Sequence, residues 1–124
     1  MNVIDSSLWL EYFAGTLQND FLVKAIENTA NQYVPSICIY EVFKKILVQK
    51  GESTALSYVS EMQKAVVIGV TPQIAIRAAK FGRDLRLPMA DSIIYATAKT
   101  MDAKVYTKDK HFANLDGAHY FANP

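Results

Sequence analysis

The spacing of apolar positions along the chain changes several times, and each change separates a strand-like segment from a helix-like one. Asn2-Val3-Ile4 is a short apolar run that ends on Asp5 and reads as a buried strand. Ser6 or Ser7 then offers a cap for a helix through Leu8-Trp9-Leu10-Glu11-Tyr12-Phe13, which Gly15 closes. Asn19 or Asp20 starts a second helix with Phe21, Leu22, Ala25 and Ile26 on one apolar face, and the polar stretch 28–31 reads as a loop. Tyr33-Val34-Pro35 is a brief extended piece, after which Ser36 caps a helix from Ile37 to Lys50 that ends at Gly51. From Glu52 to Lys64 the pattern is an amphipathic helix with Leu56, Val59 and Met62 on its inner side. Val66-Val67-Ile68-Gly69-Val70 is β-branched and predicts a buried strand.

Thr71-Pro72 supplies a cap and a first-position proline, and Ile74, Ala78, Phe81 and Leu85 follow at helical spacing. Pro88 enters the next helix, which runs from Met89 past Ala98, is apolar on most sides and carries Asp91 in its first turn. Ala103 to Tyr106 is a strand leading into Thr107-Lys108-Asp109-Lys110-His111-Phe112. Asp116-Gly117 is a turn, and Ala118 to Phe121 is a last short strand. Strands alternating with helices predict an α/β protein whose parallel sheet gathers ligand-binding groups along one edge.

Length and composition narrow the picture. The 124 residues form one expected domain spanning 1–124, with 51% apolar and 20% charged residues, and the apolar runs are too short for a membrane span. The chain opens on a strand-like segment without the charged and apolar regions of a signal peptide, so the expected location is cytoplasmic. Cys38 is the single cysteine, which excludes an internal disulfide or a thiolate metal cluster. The net charge of +1 conceals a polarity: residues 1–63 hold four Lys against seven acids, and residues 64–124 hold nine Lys or Arg against five Asp. The basic half is of the sign that attracts a phosphate backbone.

Four acids stand out because each closes an apolar strand or lies near a helix start: Asp5, Glu41, Asp91 and Asp109. Singly, each has an ordinary explanation as a cap, a turn acid or an i,i+4 partner of a lysine. Brought to one sheet edge they would repel, and a divalent cation relieves that conflict. An all-oxygen donor set suits Mg²⁺ or Mn²⁺ over Zn²⁺, and such a site activates water for in-line attack on phosphorus. Glu11 and Asp102 lie too far along their elements from the motif acids to belong. Lys108 and Lys110 either bind substrate phosphate or screen the pocket, and His111 and His119 read as ordinary surface residues.

Val3-Ile4-Asp5-Ser6-Ser7-Leu8-Trp9, Pro35-Ser36 with Glu41 in the following helix, Met89-Ala90-Asp91-Ser92-Ile93-Ile94 with Ala98, and Val105-Tyr106-Thr107-Lys108-Asp109-Lys110-His111-Phe112 together resemble a PIN-domain nuclease. The closest resemblance is to the VapC-type toxins of toxin-antitoxin pairs. It implies a three-layer α/β/α sandwich with a central, mostly parallel sheet of four to five strands. It further implies a Mg²⁺-dependent endoribonuclease, with Mn²⁺ as a substitute, that leaves a 5′-phosphate and a 3′-hydroxyl. Asp5, Glu41, Asp91 and Asp109 match the family's acidic quartet and would hold the metal, Asp5 and Asp91 most directly. Ser6 and Thr107 would support them by hydrogen bonds. The expected partners are RNA, a cognate antitoxin and a second copy of the chain. Two other readings compete: a catalytically silent PIN-fold binding protein, and a receiver-like signalling domain, which lacks a phosphoacceptor Asp at the end of a middle strand here.

Overall fold

In a computed structural model, which describes residues 1–122, a five-stranded sheet has helices on its faces. The elements run β1 (Asn2–Ile4), α1 (Ser6–Ala14), α2 (Asp20–Glu27), β2 (Gln32–Pro35), α3 (Ser36–Lys50), α4 (Glu52–Met62), β3 (Val66–Ile68), α5 (Pro72–Leu85), α6 (Met89–Thr100), β4 (Lys104–Thr107) and β5 (Ala118–Tyr120). Single 3-10 turns precede β2 (Thr29–Asn31) and follow β4 (Lys110–Phe112). The strand order is β3-β2-β1-β4-β5, and every pairing is parallel. The chain therefore builds outward from β1 on one side and then returns to build outward on the other. The reversal lies between β1 and β4, the place where open α/β sheets leave a crevice at their strand ends.

The expected layers and parallel sheet are present. β1 is covered on both faces, so Val3 and Ile4 are both buried, as a central parallel strand requires. Around them pack Leu8 and Trp9 of α1, Val34 of β2, Cys38 and Val42 of α3, Ile94 and Tyr95 of α6, Val105 of β4, and Phe112. The α6 helix is buried on most sides, and it is tied down by Tyr95, whose hydroxyl donates to the Asp116 carbonyl at 2.6 Å. It lies so close to α5 that a β-carbon on Gly82 would stand 3.0 Å from Ser92 Oγ. Among the described residues, no helix is long and apolar enough to cross a membrane.

Several local expectations are corrected. The cap of α1 is Asp5, whose carboxylate accepts the Ser6 N–H at 2.8 Å; Ser6 and Ser7 are already helical. Ser36 is likewise the first helical residue of α3, entered from Pro35 without a side-chain cap. Asn19 and Thr71 do cap α2 and α5, accepting from Leu22 N and Ile74 N. Leu56 is 53% exposed, and the buried stripe of α4 is Ala55, Val59 and Met62. The third strand stops at Ile68 and lies at the sheet edge with Val66 and Val67 exposed, because β-branching favours extended backbone at an edge as well as in a core. Phe21 is also exposed, though its ring meets Tyr106 edge-on at 5.5 Å.

Candidate active site

The register of β1 and β4 builds the site. Ile4 pairs with Tyr106, and Asp5 N donates to the Tyr106 carbonyl at 3.0 Å, so the next residue on each strand, Asp5 and Thr107, meet side by side. Thr107 is fully buried and uses its hydroxyl twice. It donates to Asp5 Oδ2 at 2.8 Å and accepts the Asp109 backbone N–H at 2.8 Å. Ser7 Oγ also donates to Asp5 Oδ2, at 3.0 Å. Asp5 is thus fixed by three donors while only 4% exposed.

Two more acids come from helices. Glu41 is half-buried on α3, and its Oε1 accepts the Ser6 hydroxyl at 2.7 Å, which links it to the residue beside Asp5. Asp91, in the first turn of α6, is 9% exposed and faces Asp109 and His111. Asp109 caps the 3-10 turn after β4 by accepting His111 N at 2.9 Å. Asp109 repels Asp5, Glu41 and Asp91, and Asp5 repels Glu41 and Asp91. Among the described residues, no Lys or Arg forms an ion pair with any of the four.

The electrostatic cost of this arrangement is visible in the acids themselves. Burial pushes the Asp5 carboxyl above its usual range against the pull of the Thr107, Ser7 and Ser6 donors, and Asp109 adds repulsion. Burial likewise raises Glu41, with Asp5 and Asp109 repelling it. Asp91 is pushed up to about 7, first by burial, then by a shared proton with Asp109 and by the charges of Asp109 and Asp5. Asp109 goes the other way: burial alone would raise it, but hydrogen bonds from His111 N–H, from protonated Asp91 and from the His111 ring outweigh that. The Asp109 carboxylate in turn raises His111.

The family model described as the PIN domain matches residues 3–118. The chain belongs to the PIN domain family. No curated protein matches the sequence closely. Among solved structures, this PIN-domain chain is similar to one from a toxin-antitoxin complex of Klebsiella pneumoniae, at 21% identity and a TM-score of 0.80, covering 99% of this chain and 100% of that one. A chain of DNA-bound VapBC from Salmonella typhimurium matches at 16% identity and a TM-score of 0.79, with 98% and 96% covered. VapC20 of Mycobacterium tuberculosis, described as a toxin that cleaves the sarcin-ricin loop, matches at 15% identity and a TM-score of 0.74, with 91% and 93% covered.

The PIN-domain donor set fits a small divalent cation. Several carboxylates converge without a fixed Lys or Arg counter-charge, and one atom each of Asp91, Asp109 and His111 lies within 4.8 Å of the others. His111 is the residue that sequence reasoning missed. Its Nδ1 stands 2.7 Å from Asp109 Oδ1 and 3.4 Å from Asp91 Oδ2, which places a ring nitrogen beside the two carboxylates. The signal available was its place two residues after Asp109, where a tight turn folds the ring back onto that carboxylate. Glu11, read as outside the site, pairs with Lys108 at 3.0 Å and so occupies the lysine immediately before Asp109. The second histidine, His119, meets the Tyr106 ring edge-on instead.

Proposed function

We propose that the chain is a metal-dependent endoribonuclease and the toxin of a toxin-antitoxin pair. The observation that carries the reading is that Asp5, Glu41, Asp91 and Asp109 gather about the β1–β4 crevice with, among the described residues, no Lys or Arg ion pair to any of them. Asp5, Asp91, Asp109 and Glu41 would hold the ion, Mg²⁺ or its substitute Mn²⁺. When bound, it supplies an activated water and stabilises the charge that develops on the phosphate. Thr107 and Ser7 fix the Asp5 carboxylate, and Thr107 also fixes the backbone that presents Asp109. Ser6 orients Glu41, which together with Asp109 would position water or a second ion. Asp91 must give up its proton before it can act as a ligand, so activity should rise with pH near 7. With the 3′-oxygen as leaving group, as the family resemblance implies, attack by water would leave a 5′-phosphate and a 3′-hydroxyl.

The partners follow from the family resemblance and from the toxin-antitoxin assemblies among the similar folds. An antitoxin would cover the acidic pocket with a basic side chain, supplying the counter-charge that the chain itself withholds. We also infer a homodimer and a cytoplasmic location. The test is cleavage mapping on total RNA with and without Mg²⁺, using Asp91→Asn as control. Metal-dependent products with 5′-phosphates that vanish in the variant are expected; cleavage indifferent to both Mg²⁺ and Asp91 would sink the reading.

A further inference from the structure

We propose that His111 is a nitrogen ligand of the ion held by the acidic cluster, which gives the site a preference for Mn²⁺ and later first-row ions over Mg²⁺. The inference rests on the reading of this cluster as a metal site. His111 Nδ1 is 2.7 Å from Asp109 Oδ1 and 3.4 Å from Asp91 Oδ2. Donor atoms that share one small cation, each about 2.1 Å from it, stand about 3 Å apart when at right angles. The Nδ1–H of the ring donates to Asp109 Oδ1 at that spacing, and an ion taking the place of this proton would meet Nδ1 together with the carboxylate oxygens of Asp109 and Asp91.

The ring is also held where it would be needed. Asp109 Oδ1 accepts the His111 backbone N–H at 2.9 Å, and Phe112, the next residue, is fully buried and anchors the turn in the core. The His111 side chain is 53% exposed, against 28% for Asp109 and 12% for Asp91. The imidazole therefore stands at the open side of the cluster, and the carboxylates lie deeper. Tethering at its base with exposure at its tip suits a ligand that meets an incoming ion.

The chemistry then separates the ions. Mg²⁺ is a hard cation that favours oxygen and gains little from imidazole, whereas affinity for a nitrogen-containing site climbs from Mn²⁺ through Co²⁺ to Ni²⁺. Four carboxylates alone would bind Mg²⁺ and Mn²⁺ with modest discrimination. An imidazole in the same shell shifts the balance toward the transition ions, and removing it should leave Mg²⁺ binding almost untouched.

The test measures binding rather than turnover, on the full chain at pH 8, where an ion competes well with the proton that Nδ1 shares with Asp109. Titration calorimetry with Mg²⁺ and Mn²⁺ is combined with pulsed electron paramagnetic resonance of the Mn²⁺ complex, which detects a coordinated nitrogen directly. The unmodified protein should bind Mn²⁺ about tenfold more tightly than Mg²⁺ and show nitrogen coupling. His111→Ala should lose the coupling and most of the Mn²⁺ advantage, while His119→Ala keeps both. Absence of nitrogen coupling in the unmodified protein overturns the inference, and that measurement needs no variant that could disturb the turn. Equal loss of Mg²⁺ and Mn²⁺ affinity in His111→Ala overturns it too, leaving His111 as a support for Asp109. The underlying metal reading fails separately, if neither ion binds the unmodified chain or if Asp91→Asn binds both as well as the parent.

Discussion

Asp91 is subject to two opposing influences. The unpaired N–H groups at the start of α6 favour its anion, while burial and the neighbouring Asp109 and Asp5 favour its protonated form; the second influence wins and raises it to about 7. Replacement of Asp91 or Asp5 by Asn should lower RNA cleavage by about 100-fold or more, since each would remove a proposed ion ligand. Asp91→Asn should not weaken the fold, because it removes one of several crowded anions, whereas Asp5→Asn puts an NH2 group against donors that a carboxylate oxygen accepts and should cost stability; a urea melt with chelator present checks both. A raised carboxyl pKa also fixes the sign of the pH dependence. In the unfolded chain Asp91 titrates near 3.9, so its protonated form stabilises the fold fully below that pH. The contribution is lost as pH rises through about 7. Asp109 is held low by the same proton, so the net change for the pair is smaller than the Asp91 shift alone. The ion-free protein should therefore melt more easily at pH 8 than at pH 5, and Asp91→Asn should lose part of that slope. An identical slope in the variant would mean that Asp91 is ionised throughout. Mg²⁺ or Mn²⁺ should restore stability at pH 8 by binding the folded state alone.

At the scale of elements, the site depends on how β1 and β4 are paired. Thr107 sits where that pairing ends, and its hydroxyl joins the Asp5 carboxylate to the Asp109 backbone. Thr107→Val keeps the shape and strands both partners, which should cost about 1–3 kcal/mol of stability. It should also loosen ion binding, and Thr107→Ser should recover much of both. The sequence carried enough to find this edge: Asp5 and Asp109 each follow a short apolar run, and parallel strands bring such ends together. It could not reveal which oxygen meets which donor, because that is set by strand register between residues a hundred positions apart. The cap of α1 is Asp5 and not the serines that follow it, so one carboxylate both caps the helix and lies at the candidate site. The α4 stripe shows a different limit. Leu56 and Ala55 both fit a helical repeat with Val59 and Met62, and the repeat alone does not say that Ala55 is the one that enters the core. Met62→Ala should accordingly cost about 2–5 kcal/mol, whereas Leu56→Ala should be nearly silent, within about 0.5 kcal/mol, in denaturant titrations.

Across the whole molecule, the basic second half of the sequence does not translate directly into a basic groove. On α5, Arg77 donates to Thr100 Oγ1 and Arg83 is paired with Asp84. Lys99 is taken by Asp116, and Lys108 lies 3.0 Å from Glu11 with its side chain only 16% exposed. Of the two lysines that flank Asp109, the exposed one is Lys110. The sequence left open whether these lysines bind phosphate or screen the acids. The Glu11 pairing divides them: Lys108 braces α1 against the end of β4, and Lys110 is the cation available to an RNA backbone approaching the crevice. Lys110→Ala should therefore raise KM for RNA about tenfold with little change in kcat, because a phosphate contact contributes binding and no chemistry. It should also reduce the salt dependence of binding by a little under one unit in the log-log slope, as expected for the loss of one contact to single-stranded RNA. Lys108→Ala should instead lower stability and leave that slope unchanged. If the two variants exchanged these behaviours, the Glu11–Lys108 pair would be opening in the presence of RNA, and the lysine beside Thr107 would be the one that meets the substrate.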